Sequence, residues 1–177
     1  LLLGLVVCNL ALAGVVRVDG DPVRHSADSV ADDASVTVDA GPRFVSRGGE
    51  KLEAALDELG LDVAGRVALD IGSSTGGFTD CLLQHGAARV YAVDVGHGQI
   101  HTKLMTDPRV VKMDGVNARY LDAGSLPERA HLAVVDASFI SLTLLLPAVK
   151  QLLAPGGHIV TLIKPQFEAG RKEVGRG

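Results

Sequence analysis

Five charged side chains stand at the ends of apolar segments and could do chemistry together. They are Asp70, Asp94, Asp114, Asp136 and Lys164. If each segment is a strand of one parallel sheet, the five groups meet at its carboxyl edge, where such sheets bind ligands. Carboxylates and an amine in one place suit proton transfer and the recognition of hydrogen-donating groups. A helix N-cap could explain any one of these acids, but it does not explain the whole set.

A glycine-rich turn follows the first of these acids. Its glycines do not have the G-x-G-x-x-G spacing of a dinucleotide site, and a phenylalanine stands where a phosphate loop needs lysine. An acid beside such a turn suits a ligand with an ammonium or sulfonium group, such as S-adenosylmethionine. The predicted cofactor-binding residues of this segment are Asp70, Gly72, Ser73, Ser74, Thr75, Gly76, Gly77 and Phe78. An ordinary strand–turn–helix corner without a ligand is the alternative.

The other charged groups have predicted roles around the same ligand. Asp94 lies roughly 20 residues beyond the glycine turn, where an acid can bind both hydroxyls of a ribose. Asp114 ends the next strand and is predicted to meet the adenine amino group. Asp136 and Lys164 end neighbouring strands beyond the cofactor, and Lys51 is expected to approach them from a helix near the N-terminus.

Alternating strands and helices must position these groups. The apolar patterns predict strands over 66–71, 89–95, 109–113, 131–135 and 158–163, and helices over 52–60, 77–86, 99–105 and 141–153. Such alternation predicts an α/β fold with a parallel, Rossmann-like sheet and right-handed crossovers.

The first 41 residues differ from the rest. Leu1–Ala13 is apolar but too short to span a membrane, and no basic region precedes the signal-peptidase-like Ala11–Gly14. We interpret it as an apolar helix remnant or a misread upstream sequence rather than a signal peptide. Alternating residues predict strands at Val15–Val18 and Ser35–Val38, which form a small hairpin-like unit. This unit is either an edge ribbon of the main domain or the end of a separate module. A Gly-Pro linker then leads into the main domain, over residues 42–177.

Composition limits the classes of partner. The 177 residues carry a net charge of −4 and only 3% aromatic residues, which does not indicate a general nucleic-acid binder. Basic residues can still cluster locally, and those predicted to contact RNA are Arg43, Arg47, Arg171 and Lys172. Phe44 and Phe167 are candidate stacking rings, with an ordinary core or loop aromatic as the alternative for each. The two cysteines have no metal-ligand spacing and form no disulfide framework, which is typical of a reduced, cytoplasmic protein without a metal site.

Four motifs carry a resemblance to a known family. They are Ser46–Leu52 (SRGGEKL), Asp70–Thr79 (DIGSSTGGFT), Val135–Leu142 (VDASFISL) and Leu162–Glu168 (LIKPQFE). Together they resemble the TlyA family, also called hemolysin A, of FtsJ-like ribosomal RNA 2′-O-methyltransferases. The resemblance covers about residues 15 to 177.

The resemblance implies a class I methyltransferase fold, S-adenosylmethionine as cofactor, and ribosomal RNA or ribosomal subunits as partner, with cytidine as the target. Residues 1–41 then include a remnant of a ribosomal-protein-type RNA-binding domain. The family's Lys-Asp-Lys-Glu tetrad maps onto Lys51, Asp136 and Lys164. Its glutamate and the last strands would lie after Gly177, so we interpret the sequence as a fragment truncated at both ends.

Chemistry supports the same catalytic residues. A ribose 2′-hydroxyl needs a base, and the amine of Lys164 can be that base in its neutral form, which a neighbouring cation such as Lys51 favours. Asp136 can orient the amine. The alternatives are a nucleotide-dependent oxidoreductase, a membrane-active hemolysin-like protein and an RNA-binding remnant without catalysis. The failed dinucleotide spacing and the lack of an amphipathic basic helix disfavour the first two.

Overall fold

The computed structural model describes residues 15–23, 25, 27, 29–39 and 41–169. The chain divides into two units between Arg43 and Phe44, close to the predicted boundary at residues 41 and 42. The apolar segment Leu1–Ala13 and the predicted RNA contacts Arg171 and Lys172 lie outside the described residues.

The first unit contains a small antiparallel sheet. Its strands are β1 (Val16–Val18), β2 (Asp21–Pro22) and β3 (Val36–Val38), in the order β2-β1-β3. Asp19 and Gly20 both have positive φ and turn the chain from β1 into β2. The two strands predicted from alternating residues, β1 and β3, thus pair with each other. That this small sheet is the remnant of an RNA-binding domain stays a prediction.

The second unit is an α/β fold, as predicted. Its strands are β4 (Val67–Ile71), β5 (Arg89–Asp94), β6 (Val110–Asp114), β7 (Ala130–Val135) and β8 (Leu153–Thr161). Its helices are α1 (Gly48–Leu59), α2 (Gly77–Gln84), α3 (Thr102–Met105), α4 (Leu142–Leu152) and α5 (Pro165–Glu168), with a 3₁₀ turn at Ala118–Tyr120. All five strands pair in parallel in the order β6-β5-β4-β7-β8. The order reverses direction beside β4, and this switch point is where such sheets bind ligands.

Two apolar clusters cover the two faces of this sheet. Side chains alternate along the strands, so that Val90 and Ala92 enter one cluster while Tyr91 and Val93 enter the other. Leu52 of α1 and Leu82 of α2 complete the first cluster, and helix α4 completes the second. The sheet is therefore the buried middle layer, which explains why every residue of β4 is buried.

Local signals set several element boundaries. Gly60 ends α1 in the left-handed conformation, and Ser141 caps α4 by accepting a hydrogen bond from the Thr143 backbone N–H. Both features agree with the sequence patterns. Residues 155–157, between the predicted helix and the predicted strand, lie inside β8, whose pairing with β7 shifts register between Ala130 and Leu132. The chain bulges there and resumes pairing at His158.

The strand order also orders the charged groups. Asp94 and Asp114 are register partners at the ends of β5 and β6, and Asp136 directly follows β7. Along the carboxyl edge of the sheet the sequence is therefore Asp114, Asp94, Asp70, Asp136 and Lys164. The sheet thus places all five at or just after the carboxyl ends of its strands, while their roles as site residues stay predictions.

Candidate functional site

The glycine turn joins β4 to α2 and needs its glycines for steric reasons. Gly72 has φ +81°, and a Cβ there would lie 2.8 Å from the backbone oxygen of Asp136. Gly76 has φ +93° and caps α2. The turn therefore lies against the segment that follows β7, and a side chain at Gly72 would push the two apart.

Asp94 fixes the other side of this turn. Its Oδ2 accepts a hydrogen bond from the Ser74 backbone N–H at 2.8 Å, and its Oδ1 accepts one from the Gly96 backbone N–H at 2.7 Å. Ser74 itself has a positive φ of 47°. The carboxylate thus holds the turn against the end of β5 and keeps further lone pairs for a ligand.

Two adjacent cavities open at the carboxyl edge of the sheet. The first, of about 570 Å³, lies between the glycine turn and the start of α1, and is lined by Arg47, Lys51, Thr75, Phe78 and Asp136 among others. The second, of about 500 Å³, lies beside Asp94 and has a largely apolar wall that includes Val93, Val116, Ile140 and Leu145. Gly72, Ser74 and Asp136 line both. One elongated ligand could therefore span the two.

Asp136 and Lys164 form the closest charged pair of the site. The Lys164 Nζ lies 2.6 Å from Asp136 Oδ1, and it donates hydrogen bonds to the Ser138 hydroxyl at 2.8 Å and to the Asp136 backbone oxygen at 3.4 Å. Lys51 is exposed and lines the same cavity as Asp136. The structure thus brings together Asp136 and Lys164, and places the third predicted catalytic residue, Lys51, on the wall of a cavity that Asp136 also lines.

Asp70 lies beneath the turn rather than on its surface. Its side chain is fully buried, and its Oδ2 accepts a hydrogen bond from the Thr79 hydroxyl at 2.7 Å. Its Oδ1 has no hydrogen-bond partner. Burial raises the pKa of Asp70 to about 7, against the opposing effect of the Thr79 hydrogen bonds, and the charges of Asp136 and Asp94 raise it further.

Asp114 is bound to neighbouring protein groups. Its Oδ2 accepts the Gly98 backbone N–H at 2.9 Å and lies 3.2 Å from the Lys112 Nζ. These contacts lower the pKa of Asp114, the Gly98 hydrogen bond most of all. The side chain lines neither cavity, whereas Asn117 and Ala118 line the second. Its predicted contact with adenine stays a prediction, and Asn117 is a neighbour that sequence reasoning missed.

The predicted RNA contacts lie in different settings. Arg47 is exposed at the N-terminus of α1 and lines the first cavity, while Arg43 is exposed in the first unit. Phe44 is only 3% exposed and packs under Gly49. Of the two interpretations of Phe44, a stacking ring or a core aromatic, the structure therefore supports the core aromatic.

Phe139 is a candidate stacking ring that the sequence patterns did not single out. Its ring is 91% exposed, lines the second cavity and lies 5.2 Å from the ring of Phe167, centroid to centroid. Its φ of +65° is rare for a bulky residue and marks a constrained loop. A large aromatic residue in the polar segment after β7 was the signal that could have found it.

Within the described ranges, no group of three or more acidic, histidine or cysteine residues is arranged to hold a metal ion. In the same part of the chain, no helix has the length and apolar character needed to cross a membrane.

Comparisons with known proteins agree with this geometry. The model of the FtsJ-like methyltransferase family matches residues 44–177. The Mycobacterium tuberculosis 16S/23S rRNA (cytidine-2′-O)-methyltransferase TlyA is 48% identical over 93% of this chain and 62% of its own length. Hemolysin A of Brachyspira hyodysenteriae is 45% identical over 96% of this chain and 71% of its own length.

A solved structure from Streptococcus thermophilus, described as a hemolysin, is 43% identical with a TM-score of 0.74. The match covers 95% of this chain and 62% of the other. The chain spans 59% and 62% of the length of two of the curated relatives it matches.

Proposed function

The chain belongs to the FtsJ-like methyltransferase family, within the group of TlyA and hemolysin A proteins, and from this premise we propose that it methylates a ribose 2′-hydroxyl of ribosomal RNA with S-adenosylmethionine. The observation that supports the proposal is the pairing of Lys164 with Asp136, which lines a cavity together with the glycine turn and Lys51. The relatives' names suggest cytidine as the target nucleotide.

The residues of the site fit the proposed cofactor. S-adenosylmethionine, when bound, supplies an electrophilic methyl group. The apolar wall of the second cavity suits an adenine ring, and Asp94 at its edge suits the ribose hydroxyls. Asp136 gives the region shared by both cavities a carboxylate that suits a cationic ligand. Phe78 stands where a phosphate loop has the lysine that binds phosphate. The residues of the turn therefore favour S-adenosylmethionine over a nucleotide phosphate.

Lys164 is proposed as the general base. In its neutral form, its Nζ can accept the proton of the 2′-hydroxyl, which would make the oxygen a nucleophile for the methyl group that the bound cofactor would give up from its sulfonium sulfur, leaving a thioether. Asp136 and Ser138 orient the amine through the contacts described above. Lys51 adds a positive charge to the wall of the first cavity, which Asp136 also lines. Much of the remaining acceleration comes from alignment of the reacting atoms.

The direct test is cofactor binding followed by transfer. Calorimetry is expected to detect S-adenosylmethionine but not NAD, and ribosomal subunits are expected to gain a 2′-O-methyl group that mass spectrometry locates. Binding of NAD alone would favour the oxidoreductase alternative. Binding of S-adenosylmethionine without transfer to any subunit would leave an RNA-binding remnant as the better interpretation.

Replacing Asp94 with alanine is expected to weaken S-adenosylmethionine binding by roughly tenfold to a hundredfold. The change removes the acceptor for the ribose and frees the Ser74 and Gly96 N–H groups that it holds. Calorimetry on the wild type, Asp94→Ala and the surface control Asp57→Ala measures this loss. Equal affinities in all three proteins would remove Asp94 from the site.

Replacing Phe139 with leucine is expected to weaken RNA binding about tenfold or more, because an exposed ring contributes stacking that an aliphatic side chain lacks. Phe139→Tyr keeps the ring and is expected to bind like the wild type. Fluorescence anisotropy with a ribosomal RNA fragment compares the three proteins. If leucine binds as well as tyrosine, the ring does not contact a base.

A further inference from the structure

We propose that Glu168 is a positioning residue for the methyl transfer, which holds the segment of Lys164 in place by capping helix α4 from outside. This inference rests on the function proposed above and extends it to a side chain outside both cavities. It concerns the contact between two segments: the loop 136–142, which follows β7, and the segment 164–168, which follows β8.

Glu168 binds the N-terminus of α4 with both carboxylate oxygens. Its Oε1 accepts the Leu142 backbone N–H at 2.8 Å, and its Oε2 accepts the Ser141 hydroxyl at 2.7 Å. Leu142 is the first residue of α4, whose unpaired N–H groups and dipole favour a negative charge at this position. The cap thus comes from a residue 26 positions away in the sequence.

Two further contacts join the same two segments. At one end, Lys164 bridges to Asp136 and Ser138, and in the middle the rings of Phe167 and Phe139 lie 5.2 Å apart. Glu168 supplies the contact at the other end. Helix α5, a single turn from Pro165 to Glu168, connects the three. The proposed base and the candidate stacking ring are therefore held by one set of contacts.

Loss of the Glu168 contact would release one end of this arrangement. Lys164 and its partners are half-buried or exposed, so water can compete for the ion pair once α5 is free to move. A displacement of the base by about 1 Å can reduce the rate by roughly a hundredfold. We therefore expect Glu168→Ala to reduce kcat by roughly tenfold to a hundredfold while the KM for S-adenosylmethionine stays unchanged.

The test compares Glu168→Ala with Glu168→Gln and Arg129→Ala. Glutamine can still accept the Leu142 N–H and can donate to the Ser141 hydroxyl, so it should restore most of kcat. Arg129 binds the carbonyl oxygens of Gln151 and Leu153 at the opposite end of α4. Both Arg129→Ala and Glu168→Ala are expected to lower the melting temperature by about 2–4 °C, because each substitution removes one cap of helix α4.

A purely structural role predicts that both alanine variants lose stability and keep kcat. The proposal predicts that only Glu168→Ala loses kcat and that glutamine rescues it. A fluorine label on Phe167, read by NMR, should report a changed ring environment in Glu168→Ala but not in Arg129→Ala. Equal kcat values, or an unchanged label, would overturn the proposal. If the wild type transfers no methyl group, the proposed function fails, and the label alone decides whether Glu168 holds the segment.

Discussion

Replacement of Lys164 by alanine is expected to reduce methyl transfer by about 10²- to 10⁴-fold, the range that a general base contributes. S-adenosylmethionine affinity should stay nearly unchanged, because Lys164 contacts Asp136 and Ser138 and lines neither cavity. Single-turnover transfer to ribosomal subunits measures the first quantity, and calorimetry measures the second.

Two variants separate chemistry from structure in this experiment. Lys164→Arg keeps a cation beside Asp136 but cannot give up its proton near neutral pH, so it should be as inactive as alanine while preserving the ion pair. Lys150→Ala removes an exposed lysine from α4 and should keep full activity. If Lys164→Arg transferred methyl groups at the wild-type rate, Lys164 would be a structural residue and another group would be the base.

The sequence predicted those parts of the site that depend on strand order. Apolar runs followed by Asp94, Asp136 and Lys164 were enough, because parallel strands bring their carboxyl ends to one edge whatever the loops do. The glycine turn was also readable, since Gly72 is required by a backbone conformation and a close neighbour. Both signals are local in the chain and need no knowledge of side-chain packing.

The remaining parts depend on contacts between distant segments. Phe44 and Phe139 are both aromatic residues next to polar motifs, yet one ring is in the core and the other is in solvent. The capping of α4 by Glu168 joins loops after two different strands. No periodicity or spacing encodes such contacts, because they arise only when β7 and β8 lie side by side.

The stability of the wild type is expected to fall as the pH rises from about 4 to about 7, through the titration of Asp70. In this interval the folded state keeps the proton of Asp70, while the unfolded chain, with the ordinary pKa of 3.8, has released it. Proton binding therefore favours the folded state. Loss of this proton from the folded protein lowers the free energy of unfolding by on the order of 4 kcal/mol by pH 8, and the dependence on pH levels off above pH 7.

Asp70→Asn is expected to remove this dependence. Asparagine keeps the shape of the neutral acid and can still accept the Thr79 hydroxyl. Denaturant unfolding of both proteins from pH 4.5 to 8.5 should give similar free energies at the acidic end and a more stable variant at the alkaline end. Asp107 and Asp114, whose pKa values are lowered by their partners, act in the opposite direction, and their contribution is lost below about pH 4.

The same titration links Asp70 to the proposed cofactor. Ionised Asp70 adds a negative charge beneath the turn, near Asp94 and Asp136. A cationic ligand favours this ionised form and lowers the pKa of Asp70, so binding near pH 7 should release a proton. Calorimetry in buffers of different ionisation enthalpy measures that release directly. The wild type should release a fraction of a proton and Asp70→Asn none. Equal values in both proteins would mean that Asp70 supports the fold without sensing the charge of the ligand.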